Sequence, residues 1–278
     1  MCPGAAIILR RQVEPFTLYV RLVGAQLRSQ MQYKVSFLLA LVGSFLACVT
    51  EFGVVLLLFN RIQLLAGWAL AEVALLYGLS GTCFAVAELF AAALDNFQVY
   101  IVRGTFDRVL IRPRGALFQV IAEDFALRRL GRIAQAAVVL VIALGLLGIT
   151  WSIDKVLVLA LAMLSGTIIY FAIFVLGATF CFWTVQAKEV THVVTYGGDA
   201  VASYPLDIYR GSVRRFFTFV VPLAFVNYEP ALFLLGRPDP LGLPAFARLL
   251  SPLAALIMAL LARYAWRQGV QHYQSTGS

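Results

Sequence analysis

The sequence predicts an all-α polytopic membrane protein. Of its 278 residues, 62% are hydrophobic and only 13% are charged, whereas a soluble globular protein has about 45–50% apolar residues. The apolar residues form stretches that are long enough, as helices, to cross a hydrocarbon core of about 30 Å. The basic residues, which exceed the acidic ones by eight, lie mainly between these stretches. We therefore expect a single transmembrane domain over residues 1–278, with six transmembrane helices.

The segment before the first apolar stretch is amphipathic. Its apolar residues follow helical spacing, while Arg21 and Arg28 fall elsewhere on the helical wheel. A basic amphipathic helix of this kind lies flat at a membrane surface. Residues 15–34 are therefore predicted to form an interface helix; the alternative is a soluble extension of the first span.

The first two predicted spans, residues 35–59 and 70–94, each carry a carboxylate. An acid inside a span costs about 2.5–3.5 kcal/mol, which the apolar neighbours offset. Glu51 and Glu88 are therefore expected either to line a polar path or to form hydrogen bonds within the bundle. Because the two helices run in opposite directions, we expect Glu51 in the outer part of the membrane and Glu88 near the inner face, not a proton-relay pair.

A basic segment, residues 95–132, separates the second and third spans. Phe106, Val109 and Leu110 follow i, i+3, i+4 spacing and would share one helical face. Thr105 is suited to cap the start of this turn, and Pro113 disfavours helix at the residue before it. We predict a short cytoplasmic docking helix with these three apolar residues as its docked face; an ordinary solvated loop is the alternative. A second helix is expected over residues 117–132.

The remaining spans are predicted at residues 133–150, 156–185, 216–236 and 249–266, with a polar loop over 186–215. A continuous helix through Pro230 is not expected, because each proline removes a backbone hydrogen bond, and the break is placed at Asn227–Pro230. Broken backbone at membrane depth must be shielded by protein or line an aqueous cavity. This segment is therefore predicted to be broken or re-entrant and to shape an outer gate. The candidate residues of the path or gate are Glu51, Glu88, Pro222, Asn227, Tyr228, Glu229 and Pro230.

The distribution of positive charge predicts the orientation. With this set of spans, 18 lysines and arginines fall on the side of both termini and of residues 95–132, and four fall on the other side. Because cytoplasmic loops carry an excess of Lys and Arg, both termini and the docking helix are predicted to be cytoplasmic.

Known catalytic and nucleotide-binding motifs are absent from the sequence. It contains no P-loop, since none of its three lysines follows a glycine, and no zinc-protease or serine-hydrolase motif. Its four cysteines and two histidines lack metal-ligand spacing. We expect no enzyme activity and no metal site on this chain. The positive charges lie in particular loops, which favours a role at the membrane surface, and we expect no nucleic-acid partner.

Three motifs resemble those of ABC-2 type permeases. The segment Arg103-Gly104-Thr105-Phe106-Asp107, with Leu110 and Pro113, is similar to a pattern between the second and third spans of that family. The segments Tyr204–Tyr209 and Val221–Ala231 resemble a branch of the family associated with antibiotic and drug export. Glu229 departs from the aromatic or neutral residue that this resemblance leads us to expect.

The resemblance implies the membrane subunit of an exporter in a bacterial inner membrane. ATP and magnesium would bind to separate ABC ATPase subunits, and a second permease chain, identical or related, would complete the pathway. A largely apolar bundle with few internal charges suits a small amphipathic or hydrophobic compound. Arg21 and Arg28 would belong to the interface helix. The residues that would couple to the ATPase are Arg103, Gly104, Thr105, Phe106, Asp107, Arg108, Val109, Leu110 and Pro113. The alternatives are an ion-coupled secondary transporter or channel, and a membrane enzyme or scaffold that transports nothing.

Overall fold

The structure is a computed structural model that describes residues 24, 28, 32, 34–184, 188–238, 242 and 244–274. Within this part of the chain the secondary structure is helical, apart from an isolated bridge between Leu65 and Trp68. Most of the predicted interface helix, including Arg21, lies outside the described residues. Arg28 is described and exposed.

Eleven α-helices are numbered here over the described residues. They are α1 (Lys34–Phe59), α2 (Leu70–Asp95), α3 (Gln98–Val102), α4 (Phe106–Leu110), α5 (Ala116–Glu123), α6 (Leu130–Leu146), α7 (Ile153–Phe180), α8 (Lys188–Ala202), α9 (Gly211–Arg215), α10 (Tyr228–Leu235) and α11 (Ser251–His272). Short 3-10 turns occupy Leu127–Arg129, Leu206–Ile208, Leu223–Phe225 and Ala245–Leu249, and a π-helical turn occupies Phe216–Val220.

Three helices are long and apolar enough to cross a membrane: Lys34–Phe59, Leu70–Val102, in which α3 continues α2, and Ile153–Phe180. A fourth candidate is the pair Gly211–Val220 and Leu223–Leu235, which is bent by 73°. The segment is therefore broken, as expected, but the sharp bend lies at Pro222, and Pro230, where the break was predicted, lies inside α10. The full count of six spans stays a prediction, since α6, α8 and α11 are shorter or more polar.

Helix α2 is the centre of the bundle. Of its most apolar window 83% is buried, against 11% for α1, which lies at the periphery. Helix α6 runs antiparallel to α2 and approaches it closely at Gly78, where an added Cβ would lie 2.7 Å from the backbone of Leu140. Small residues permit such close helix contacts in membranes, where van der Waals packing drives association. Helices α7 and α11 run parallel to α2, so that Phe97, Phe182 and Trp266 meet beyond its C-terminal end.

Helix α8 contradicts the predicted loop over residues 186–215. Near its start, the Thr191 hydroxyl donates a hydrogen bond to the Gly177 carbonyl, and further along Asp199 reaches Ser80 and Tyr170. Beyond its end, Asp207 accepts a hydrogen bond from Trp68, just before α2. The chain therefore passes from the Asp95 end of the bundle (the end of α2 that contains Asp95) to the Trp68 end (the end that contains Trp68).

The path of α8 also changes the charge count. Arg214 pairs with Asp207 at the Trp68 end, at an N–O distance of 3.3 Å. Arg210, Arg214 and Arg215 therefore belong to the side opposite the one predicted for them. The distribution becomes 15 against 7, which keeps the predicted orientation but weakens its asymmetry.

The region between α2 and α6 is more interrupted than predicted. The helix expected over residues 117–132 ends at Glu123, because Asp124 is extended, with φ −137° and ψ 121°. Helix α6 then begins at Leu130, three residues before the predicted span. This early start brings Arg132 into the helix bundle instead of leaving it in a polar loop.

Candidate functional site

The polar face of α8 forms a continuous seam with α2 and α6. His192, Tyr196, Asp199 and Ser203 recur at i, i+4, i+7 and i+11, and therefore share one helical face. This spacing was present in the sequence and could have identified α8 as a helix. A membrane helix can carry such a stripe when the polar groups find partners inside the protein.

Arg132 and Asp199 form the centre of the seam. Arg132 Nη2 lies 2.7 Å from Asp199 Oδ2, and the Arg132 guanidinium sits 4.6 Å from the centre of the Phe84 ring. The other Asp199 oxygen lies 3.3 Å from the hydroxyls of both Ser80 and Tyr170, which are themselves 2.6 Å apart. The buried carboxylate of Asp199, on α8, thereby contacts side chains from α2, α6 and α7.

Glu88 forms the second centre of the seam, and it lies closer to the Asp95 end than Asp199 does. Its carboxylate lies 2.9 Å from Arg129 and 3.8 Å from Arg132, and it accepts a hydrogen bond of 2.7 Å from the Tyr196 hydroxyl. Its side chain is fully buried. Of the two roles predicted for this residue, hydrogen bonding within the bundle is the one observed. Beyond it, the His192 imidazole lies 3.3 Å from the Asp95 carboxylate.

Glu51 lies apart from these ion pairs and lines a cavity beside them. The cavity has a volume of about 380 Å³ and lies between α1, α2, α6 and α8. Its polar lining includes Glu51, Tyr77, Arg132, Gln135, Asp199 and Tyr204. The seam and the cavity together place charge, hydroxyl groups and open space at one location in the bundle.

The sequence analysis missed most of these groups. Arg129 and Arg132 were counted only as positive charges of the segment before the third span, and Asp199 and Tyr196 fell in the predicted loop. Their partners are 29 to 119 residues away along the chain. Local spacing could have shown the stripe on α8 but not which residues face it.

The predicted gate residues are packed inside the Trp68 end. Pro222 lies at the sharp bend, whereas Asn227, Tyr228, Glu229 and Pro230 are buried. The Asn227 amide donates hydrogen bonds to the carbonyls of Leu76 and Ala202. These contacts fasten the bend to α2 and α8; a gating role stays a prediction.

Two of the sequence motifs meet at Asp207. Its carboxylate accepts hydrogen bonds of 2.8 Å from the Tyr228 hydroxyl and from the Trp68 indole. Nearby, Arg237 pairs with Glu72 at 2.8 Å and covers the Trp68 ring at 4.7 Å. The motifs at Tyr204–Tyr209 and Val221–Ala231 thus build one structural cluster.

At the Asp95 end, α4 is anchored by an aromatic socket. Phe106 is fully buried, and its ring centre lies 5.0 to 6.4 Å from those of the other aromatic residues. The aromatic socket consists of Phe97, Phe182, Trp266 and Tyr273. It connects α4 to the C-terminal ends of α2, α7 and α11.

The predicted docked face of α4 is therefore wrong in two of its three residues. Phe106 and Val109 face the chain's own core, whereas Leu110 is 41% exposed. Thr105 provides no cap; its hydroxyl lies 3.5 Å from the Tyr100 carbonyl. Gly104 has a φ of +62°, a conformation that favours glycine. Pro113 follows the end of α4 at Leu110, as its predicted role as a helix stop requires.

An outward-facing surface remains around this helix. Ile111 is 82% exposed and Val102 is 54% exposed, and Arg103, Arg108 and Pro113 are exposed beside them, with Asp107 partly buried. We call this the basic-apolar surface; it consists of Val99, Val102, Arg103, Arg108, Leu110, Ile111 and Arg112.

Comparison with protein families assigns the chain. Residues 45–277 match the model of the family described as ABC-2 family transporter protein. The chain belongs to the ABC-2 transporter family. It is therefore a multi-pass integral membrane protein and the permease subunit of an ABC exporter, a class that works with ABC ATPase subunits. A comparison with curated proteins gave no match.

Proposed function

We propose that this ABC-2 permease drives export by moving its helix bundle in response to ATP hydrolysis on separate ATPase subunits. The observation that carries the proposal is the joining of α4 to three long helices through Phe106. A force applied at the basic-apolar surface would reach α2, α7 and α11 through the aromatic socket. The family match supports the ATPase as its source. Bound ATP and magnesium belong to that partner.

The proposed pathway uses six passes: α1, α2, α6, α7, α8 and α11. The bent segment from Gly211 to Leu235 then lies at the outer face and does not act as a span. The excess of positive charge at the Asp95 end supports placing that end and both termini in the cytoplasm of a bacterial cell. A second permease chain, identical or related, completes the path, as the resemblance to ABC-2 permeases implies.

The substrate is proposed to be a small amphipathic or hydrophobic compound, drug-like or antibiotic-like, as the resemblance implies. A cavity of about 380 Å³ within the bundle supports a small ligand, because small-molecule sites measure about 300–1,000 Å³.

Docking of the ATPase is tested by Ile111→Asp. This substitution places a carboxylate at the apolar centre of the proposed contact and removes a side chain expected to carry much of the binding energy. We therefore expect the amount of Walker-A-bearing ATPase that co-purifies in mild detergent to fall at least about tenfold. Ile153→Asp is the matched control, since Ile153 is 80% exposed at the opposite end. Undiminished recovery with Ile111→Asp would remove the basic-apolar surface from the coupling mechanism.

The six-pass topology is tested with single cysteines at Ser212 and Ile111, after replacement of the native cysteines. A membrane-impermeant maleimide added to intact cells should label Ser212→Cys, whereas Ile111→Cys should react only after permeabilisation. Both positions are exposed. Labelling of both from the same side would contradict the crossing of α8, and a reversed pattern would invert the orientation.

A further inference from the structure

The cavity between α1, α2, α6 and α8 has an unbalanced charge. Its lining contains two carboxylates, Glu51 and Asp199, and one guanidinium, Arg132. Asp199 holds Arg132 at 2.7 Å, and Glu88 lies on the other side of the same guanidinium at 3.8 Å. Arg132 is therefore already occupied by two buried acids.

Glu51 is the carboxylate of the cavity lining that forms no ion pair with Arg132. Among the residues that the structure describes it forms no ion pair within 4 Å, and its side chain is exposed where the cavity opens. It lies within Lys34–Phe59, a candidate membrane span, where acidic residues are rare. Ionisable residues inside a span are rare and commonly mark a substrate or ion path, and a cationic ligand is one partner that such an acid can take.

The aromatic lining favours an organic cation as that partner. Tyr77, Tyr196 and Tyr204 all border the cavity. The hydroxyls of the first two are directed to the Cys48 carbonyl and to Glu88, so these residues offer mainly their rings. A cation within about 6 Å of a tyrosine ring is attracted by its quadrupole, and the attraction grows when water is excluded.

Other charge classes fit the cavity less well. An anion would meet Glu51 and would have to displace Asp199 from Arg132. A neutral compound would leave the excess of negative charge in the lining unchanged. We infer that the cavity binds an amphipathic organic cation, a substituted ammonium with an apolar group, with Glu51 as its counter-ion and the tyrosines around its charged head. As a transport substrate, this cation rests on the proposed export function.

Equilibrium dialysis of radiolabelled phenyltrimethylammonium tests the site. The full chain is reconstituted in nanodiscs, and empty nanodiscs provide the blank. We expect saturable binding that weakens at least about tenfold in Glu51→Gln, equivalent to about 1.4 kcal/mol. The matched control is Asp154→Asn, which removes an exposed acid outside this cavity and should bind like the unmodified chain.

A second pair of variants tests the aromatic part and does not alter charge. Tyr204→Leu should weaken binding about fivefold, whereas Tyr204→Phe should keep it, because the ring carries the attraction. Excess tert-butylbenzene, the neutral isostere of the probe, should not displace it. Unchanged affinity in Glu51→Gln, equal losses in Asp154→Asn, or displacement by the neutral isostere would each overturn the inference.

The binding assay contains neither ATP nor ATPase. Loss of the predicted binding, together with intact ATP-dependent export of another compound, would reject the cation and keep the permease mechanism. Glu51-dependent binding without any ATP-dependent export would keep the site and reject the proposed function.

Discussion

Replacing Arg132 with Met is expected to reduce the free energy of unfolding by about 3–5 kcal/mol, since removing one partner of a buried ion pair leaves the other charge uncompensated. Arg132 is the only contact between the Asp199 centre and the Glu88 centre among the ion pairs of the described residues. The side chains of Asp199 and Glu88 are 7% and 0% exposed. Both acids would therefore lose a cationic partner, although Glu88 would keep Arg129 at 2.9 Å.

Thermal unfolding in detergent, followed by helical circular dichroism, measures this change. Arg61→Met removes an exposed arginine and should alter stability by less than about 0.5 kcal/mol. The double variant Arg132→Met with Asp199→Leu should recover part of the loss, because it removes the charge that the single variant strands. A single variant as stable as the unmodified chain would show that the seam contributes little to folding.

Replacing Phe106 with Ala is expected to have the second large effect. Truncation of a fully buried phenylalanine costs about 3–5 kcal/mol, from lost burial and from the cavity that remains. Four rings surround this side chain, and they come from the ends of α2, α7 and α11. The same change should uncouple ATP hydrolysis from transport, since α4 would lose its hold on these helices.

The measurement combines unfolding with substrate-stimulated ATPase activity of the assembled exporter. Leu110→Ala, at a half-exposed position of the same helix, should leave stability nearly unchanged. Phe106→Leu should retain more stability than Phe106→Ala. If Phe106→Ala kept both the unfolding midpoint and full coupling, the aromatic socket would have no role in transmission.

Much of the bundle could be predicted from apolar runs. The helices Lys34–Phe59 and Leu70–Asp95 lie within a residue of the predicted limits, because a run of apolar residues without helix breakers has few alternatives in a bilayer. A break within residues 216–236 was equally predictable, since a proline in the interior of a helix removes a backbone hydrogen bond. Its position was not, because the chain bends at Pro222 and Pro230 lies in the first turn of α10, where a proline is tolerated.

Helix α8 was not predicted, because its polar residues resemble those of a loop when they are counted singly. Their acceptability inside the bundle depends on Glu88, Arg132 and Ser80, which come from other helices. The docked face of α4 failed for a related reason. Periodicity placed Phe106, Val109 and Leu110 on one face but could not tell whether that face meets an ATPase or the chain's own aromatic residues.

The sequence by itself determined the class of protein, the position of the most apolar helices and the motifs of the family, since these depend on composition and local order. Only the tertiary structure decided that Arg132 neutralises Asp199, that Phe106 is an internal anchor, and that Glu51 lines the same cavity as that ion pair. The physical reason is that pairing and burial are properties of neighbours in space. Ser80 and Asp199 are separated by 119 residues and meet only when α2 and α8 pack together.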